Sequence, residues 1–209
     1  MKKIFLIMFS AAFIFVGCTA LKPMTREEYL DVTQRVYTDT NQNNVFAAAE
    51  KLFNLADKSD FVLQHTENSI IGTRQWSMYL ILTAVFGSDH WKVSAIDVGG
   101  VTKVSVMVTT ASSQSLGIFD AESGTVDTFM TPGLNGKPPV GPAVYELFWA
   151  RMDYLLGKSD KWMTCEDMDV LIKEKKTYGI TAVLCQPLTM DNKLPEELRK
   201  PEKEKPGPK

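Results

Sequence analysis

Apolar and polar positions recur along this chain with two periods, and the change of period marks its elements. From Val45 to Asp57 (VFAAAEKLFNLAD) the residues Val45, Ala48, Ala49, Leu52, Leu55 and Ala56 fall at helical spacing behind the cap-type run Asn41 to Asn44. This predicts an amphipathic helix with a small-residue face that can lie close to a sheet. From Asp60 to Ser112 the period becomes two. Phe61 to Thr66, a turn at Glu67-Asn68-Ser69, and Ile70 to Trp76 predict one hairpin. Trp91 to Val98 and Val101 to Thr110 predict a second around Gly99-Gly100, a pair suited to a tight turn. Val104, Val106 and Val108 alternate with Lys103, Ser105 and Met107, which predicts one buried face and one wetter face. The β-branched run Val32 to Thr38 reads as an edge strand. Ser77 to Phe86 is apolar on every side and too short to cross a bilayer. Periodicity does not separate a buried strand from a short buried helix there, and strand is preferred.

After Ser113 the pattern fades. Residues 113 to 141 carry five glycines and three prolines, with short strands expected near Leu116–Phe119 and Thr125–Met130. A connection of that length is often a contact surface. Helical spacing returns from Pro142 to Leu156, and again from Thr164, where Thr164 and Asp167 resemble a capping box, to a point before Gly179. Asp191 to Lys209 mixes charge with proline and reads as a disordered tail. The order of elements predicts an α+β domain over 29–190, an antiparallel sheet of four to six strands with two or three helices packed on one face.

Composition narrows the class of protein. The chain has 209 residues, 44% hydrophobic and 23% charged, with a formal net charge of -2. Those values exclude collagen-like, wholly disordered and polytopic membrane chains, and there is no basic excess to recruit nucleic acid. The N-terminus is distinctive. Lys2 and Lys3 precede an uncharged run from Ile4 to Val16, the proportions of a secretory signal. The run ends in Phe15-Val16-Gly17-Cys18. This small-residue–cysteine ending resembles the lipobox of bacterial lipoproteins, with Phe15 where leucine is commoner. The resemblance implies a signal peptide over 1–17, cleavage before Cys18, and acyl chains on Cys18 that hold the protein to a membrane. Residues 18–28 would form a tether. Thr19 is not the aspartate that retains such proteins at the inner membrane, so in a cell with two membranes the expected place is the outer one, facing the periplasm.

Export places Cys165 and Cys185 in an oxidising compartment, where an even pair reads as one disulfide. The stretch Tyr145 to Cys165 (YELFWARMDYLLGKSDKWMTC) is similar to uncharacterised proteobacterial lipoproteins. That likeness supports the envelope placement and the Cys165–Cys185 pairing, and carries no activity to any residue.

Candidate chemistry is sparse. The two histidines are His65, expected on the Phe61/Leu63 side of a strand, and His90, expected beside Asp89 in a turn. No nucleophile elbow, His-Glu-x-x-His or phosphate loop occurs. Glu166, Asp167 and Asp169 sit where carboxylates complement a helix dipole. No catalytic residue, metal site or cofactor is therefore expected. Phe119, Phe129, Trp149 and Trp162 are the candidate partner or ligand surface, although at helical spacing Trp149 and Trp162 also suit a core. The leading expectation is a non-catalytic, lipid-anchored accessory protein that meets an envelope protein partner through residues 113–141. The alternative is a carrier for a lipid or other apolar ligand, held between sheet and helices and motivated by Ser77–Phe86. An enzyme with an unrecognised site comes third.

Overall fold

The computed structural model describes residues 23–56, 61–80, 83–120, 125–132 and 141–185, with 136, 138, 139, 195 and 198 as single positions. Within strands, the side chains of 78–80, 83, 114–120 and 125–132 are not described. The expected signal segment, Cys18 and nearly all of the expected tail lie outside the described residues.

The fold is α+β, as the pattern predicts. In chain order it runs α1 (Arg26–Thr33), β1 (Gln34–Tyr37), α2 (Gln42–Ala56), β2 (Phe61–Thr66), β3 (Ser69–Leu80), β4 (Thr83–Val98), β5 (Val101–Asp120), β6 (Thr125–Pro132), α3 (Ala143–Leu155) and α4 (Cys165–Lys173). All strand pairs are antiparallel, in the order β1-β5-β4-β3-β2, and β6 also pairs with β5. β1 takes Thr102 to Ser105 and β6 takes Ser113 to Asp120, so both lie on the side of β5 away from β4. The β4–β5 turn places Gly99 and Gly100 at φ 61° and 83°. Two successive positive φ values make the primed turn whose twist matches the strands, and glycine adopts them without steric cost.

Three elements depart from the sequence expectation. Arg26 to Thr33 is helical, beginning inside the stretch expected to be a tether, and claims the Val32-Thr33 pair expected in a strand. Thr25 accepts from the Glu28 amide at 3.2 Å while Glu28 accepts from the Thr25 amide at 2.7 Å. That reciprocal cap outweighs the strand preference of two β-branched residues. Ser77 to Phe86 is strand, but two strands rather than one: Ser77 pairs with Phe86 and Leu80 with Thr83 across the tip of a long hairpin. The aperiodic stretch after Ser113 is likewise the β5–β6 hairpin, and both expected short strands fall inside it.

The helices lie on one side of the sheet. α2 packs against β2, β3 and β4, α3 packs on α2, α4 on α3, and α1 between α3 and the β1/β5 edge. Phe53 of α2 meets Phe61, Trp91 and Phe148 at ring separations of 5.1, 5.7 and 6.4 Å, and Trp91 stacks on Phe148 at 5.4 Å. Phe53 and Phe148 are fully buried, each contributing about 1.5–3 kcal/mol of transfer free energy. Cys165 and Cys185 form the expected disulfide, which ties the start of α4 to the C-terminal end of the described domain.

Candidate functional site

The packed layer uses one face of the sheet and leaves the other open. Strand alternation sends Ile70, Trp91, Val93, Ala95, Val104, Val106 and Val108 to the helices. The same alternation leaves Val36, Val62, Phe86, Ile96, Val98 and Met107 exposed on the opposite face, Val62 to 64% and Phe86 to 39%. Lys92, Lys103 and His90 share that face. Among the described residues it carries no aspartate or glutamate. Acidic side chains sit instead on the helices, at Glu27, Glu28, Glu50, Glu146, Glu166 and Asp167 among others. A sheet face of mixed apolar, neutral polar and basic groups thus backs onto an acidic helical layer.

A trough of about 580 Å³ is cut into the open face, lined by Gln75, Trp76, Ser77, Phe86, Gly87, Ser88, Ala111, Ser112 and Ser113. Register explains its shape. Gln75, Ser88 and Ala111 form one row across β3, β4 and β5, and Ser77, Phe86 and Ser113 form another two residues along. Between them runs the row Trp76, Gly87 and Ser112, whose side chains turn to the helical side and whose backbone makes the floor.

Beneath that floor lies a buried polar cluster. Arg74 Nη2 donates to Asp89 Oδ2 at 2.8 Å and to the Ala182 carbonyl at 3.0 Å. Trp76 Nε1 and Thr110 Oγ1 donate to Asp89 Oδ1 at 3.2 and 2.9 Å. The side chains of Arg74 and Asp89 are only 6% and 2% exposed. Pairing and three donors to one carboxylate are what a buried charge requires. The Trp76 ring lies over Gly87, where a Cβ atom would fall 2.2 Å from Cζ2 of the indole.

His90 stands in the next row, inside β4 and not in a turn. Its Nε2 is 3.0 Å from Ser88 Oγ and its Nδ1 3.3 Å from Thr73 Oγ1. Residues two apart on a strand share a face, so Ser88 and His90 meet for that reason alone. His65 lies on the Phe61/Leu63 side of β2, as expected, paired across strands with Ile70 and half exposed, with Nε2 3.6 Å from a Glu50 oxygen. Neither ring is bonded to a carboxylate within hydrogen-bond distance in the trough.

Trp149 and Trp162 are core residues, a correction to their candidacy as a contact surface. Trp149 is 2% exposed and donates from Nε1 to the Val32 carbonyl at 2.7 Å, while Arg35 lies 5.2 Å over its ring. Trp162 is 7% exposed, edge-on to Tyr154 and covered by Arg151. Phe119 and Phe129 lie in β5 and β6, in the segment whose side chains are not described. The space between sheet and helices, where the alternative carrier reading places an apolar ligand, holds Phe53, Trp91 and Phe148. Of the acidic cluster, Asp167 closes the α4 capping box. The Thr164 amide, with help from Lys161, holds its carboxyl below the usual range.

No protein-family model, curated protein or solved structure matches the chain. No described helix is long and apolar enough to cross a membrane.

Proposed function

We propose that this chain is a lipid-anchored, non-catalytic binding module of the bacterial cell envelope, and that the open face of its sheet is the contact surface. One observation carries the assignment of the surface: six large apolar side chains stand exposed on a face with no described carboxylate, while the acidic groups gather on the other side. Large apolar side chains left exposed among neutral polar and basic groups favour that face as the interaction surface.

The anchor rests on the Gly17-Cys18 signal. The capping residue Thr25 is seven residues beyond Cys18, which at full extension gives a reach of about 25 Å. The domain is then held close to its membrane, the outer one where the cell has two. Its partner is an envelope component within that reach.

Two measurements test this. Intact-mass spectrometry of the full chain extracted from membranes is expected to show loss of residues 1–17 and acyl chains on Cys18, and Cys18→Ala is expected to abolish both. Photo-crosslinkers placed at Ile96 or Met107 on the open face are expected to capture a partner in cells, whereas one at Lys51 on α2 is not. Capture from Lys51 alone would move the contact surface to the helices and sink the reading.

A further inference from the structure

The trough has a chemistry of its own within the open face. Its two walls present four neutral hydrogen-bonding side chains, Gln75, Ser77, Ser88 and Ser113, together with Ala111 and the ring of Phe86. No charged side chain is among the described residues that line it. That set selects against most occupants. A charged ligand would find no counter-charge on its walls. A lipid chain would lie against hydroxyls that give up water for nothing in return. An added β-strand needs a free strand edge, but the trough crosses β3, β4 and β5, whose backbones are paired with one another there.

What the lining does suit is a neutral ligand dense in hydroxyls that also has a flat C–H face. Hydroxyls and acetamido groups exchange hydrogen bonds with Gln and Ser side chains, and the C–H face of a pyranose lies on an aromatic ring. Three strands at about 4.8 Å spacing make the trough roughly 10–15 Å long, which fits a short run of sugar rings. Beneath it the Arg74–Asp89 cluster fixes the Trp76 indole, so the floor is formed before any ligand arrives. The row beyond one wall holds His90 and Thr73, two further hydrogen-bonding groups.

We infer that the trough formed by Gln75, Ser77, Phe86, Ser88, Ala111 and Ser113 is a binding site for a neutral sugar chain. The inference deepens the reading of the open face as the contact surface and does not depend on the lipid anchor. The shared chemistry belongs both to cell-wall-type chains of β-1,4-linked N-acetylglucosamine and to α-glucans, so the test uses one probe of each.

The whole mature chain from Thr19, exported without lipid, is titrated with chitotetraose and with maltotetraose while backbone amide resonances are followed. Saturable shifts are expected in the Gln75–Ser77, Phe86–Ser88 and Ala111–Ser113 segments with at least one probe, and the probe that acts names the source. Ala111→Trp, which fills the trough from a half-buried strand position, is expected to weaken binding by about tenfold or more. Phe86→Ala with Gln75→Ala provides a second route should the tryptophan variant not fold. Val62→Ser, on the same face but away from the trough, is expected to bind as the parent does. Silence with both probes, or binding that survives loss of the trough, overturns the inference. If the sugars are silent while the open-face crosslinks persist, the site's ligand class falls and the contact surface stands.

Discussion

Arg74 and Asp89 face each other across β3 and β4 as a nearly solvent-free ion pair, 2.8 Å apart, directly under the trough floor. Removing one partner leaves the other charged, buried and unmatched, which costs about 3–5 kcal/mol. Asp89→Ala is therefore expected to lower the free energy of unfolding by that amount, and also to release the Trp76 and Thr110 donors. Replacing both charges, as Arg74→Met with Asp89→Leu, is expected to recover most of the loss. Urea denaturation of the two variants decides the matter; a single variant as stable as the parent would mean the cluster is wetter than its burial indicates.

The same floor makes Gly87 irreplaceable for a steric reason. A Cβ there meets the Trp76 ring at 2.2 Å and the Ala111 carbonyl oxygen at 2.8 Å. Gly87→Ala is expected to cost about 1–3 kcal/mol through overpacking and to displace the indole from Asp89, with a red shift in tryptophan emission. Combining it with Trp76→Ala should relieve much of the steric cost, because the ring is then gone. Additive losses in that double-mutant cycle would show that the two positions do not touch.

This relationship also explains what the sequence could and could not reveal. Gly87-Ser88-Asp89 carries turn-type residues, so Asp89 and His90 read as a turn; in the fold the glycine makes room for a ring on the neighbouring strand. The reverse error occurs at Ser77–Phe86, where the chain doubles back within an apolar run that holds no Gly, Pro, Asn or Asp to announce it. Local signals were legible wherever local physics decides. The helical stripe of α2, the α4 capping box and the double glycine of the β4–β5 turn are three such cases. The trough was not legible, because Gln75, Ser88 and Ala111 become neighbours only through the register of three strands. Trp149 was ambiguous for a related reason, since only α1 and Arg35, packed on it, decide that it is core.

The disulfide closes a loop across a sequence separation of 20 residues. Constraining the unfolded chain to that extent contributes on the order of 3 kcal/mol in the chain-entropy model. Cys165→Ser with Cys185→Ser is expected to shift the denaturation midpoint down by the corresponding amount, and reduction of the parent is expected to match it. The ends it joins are Cys165, at the start of α4, and Cys185, next to the buried Val183 and Leu184. Hydrogen exchange should therefore rise first in residues 181–185 and in α4, before it rises in the sheet. Unchanged exchange there would place the stabilisation elsewhere.

Alkaline pH tests a second, partly buried cluster, which joins β1 to α3. Tyr37 Oη donates to Asp153 Oδ1 at 2.8 Å, and Arg35 pairs with the other Asp153 oxygen. Burial first, then the hydrogen bond to Asp153 and its negative charge, push the Tyr37 phenol well above its ordinary value, against a smaller opposing effect of Arg35. The folded protein therefore keeps a proton that the unfolded chain releases near pH ~10. With fewer protons bound in the unfolded state, stability falls as pH rises. The contribution is whole below about pH 10 and is lost as pH climbs toward the folded value. Tyr37→Phe is expected to cost about 1 kcal/mol at neutral pH through the lost hydrogen bond, yet to decline less steeply than the parent above pH ~10. Tyr145, raised chiefly by its own burial, contributes in the same direction, so Tyr145→Phe should flatten the limb independently. Stability curves measured from neutral to alkaline pH distinguish the cases, and parallel alkaline limbs for parent and Tyr37→Phe would show that the phenol is not protected by the fold.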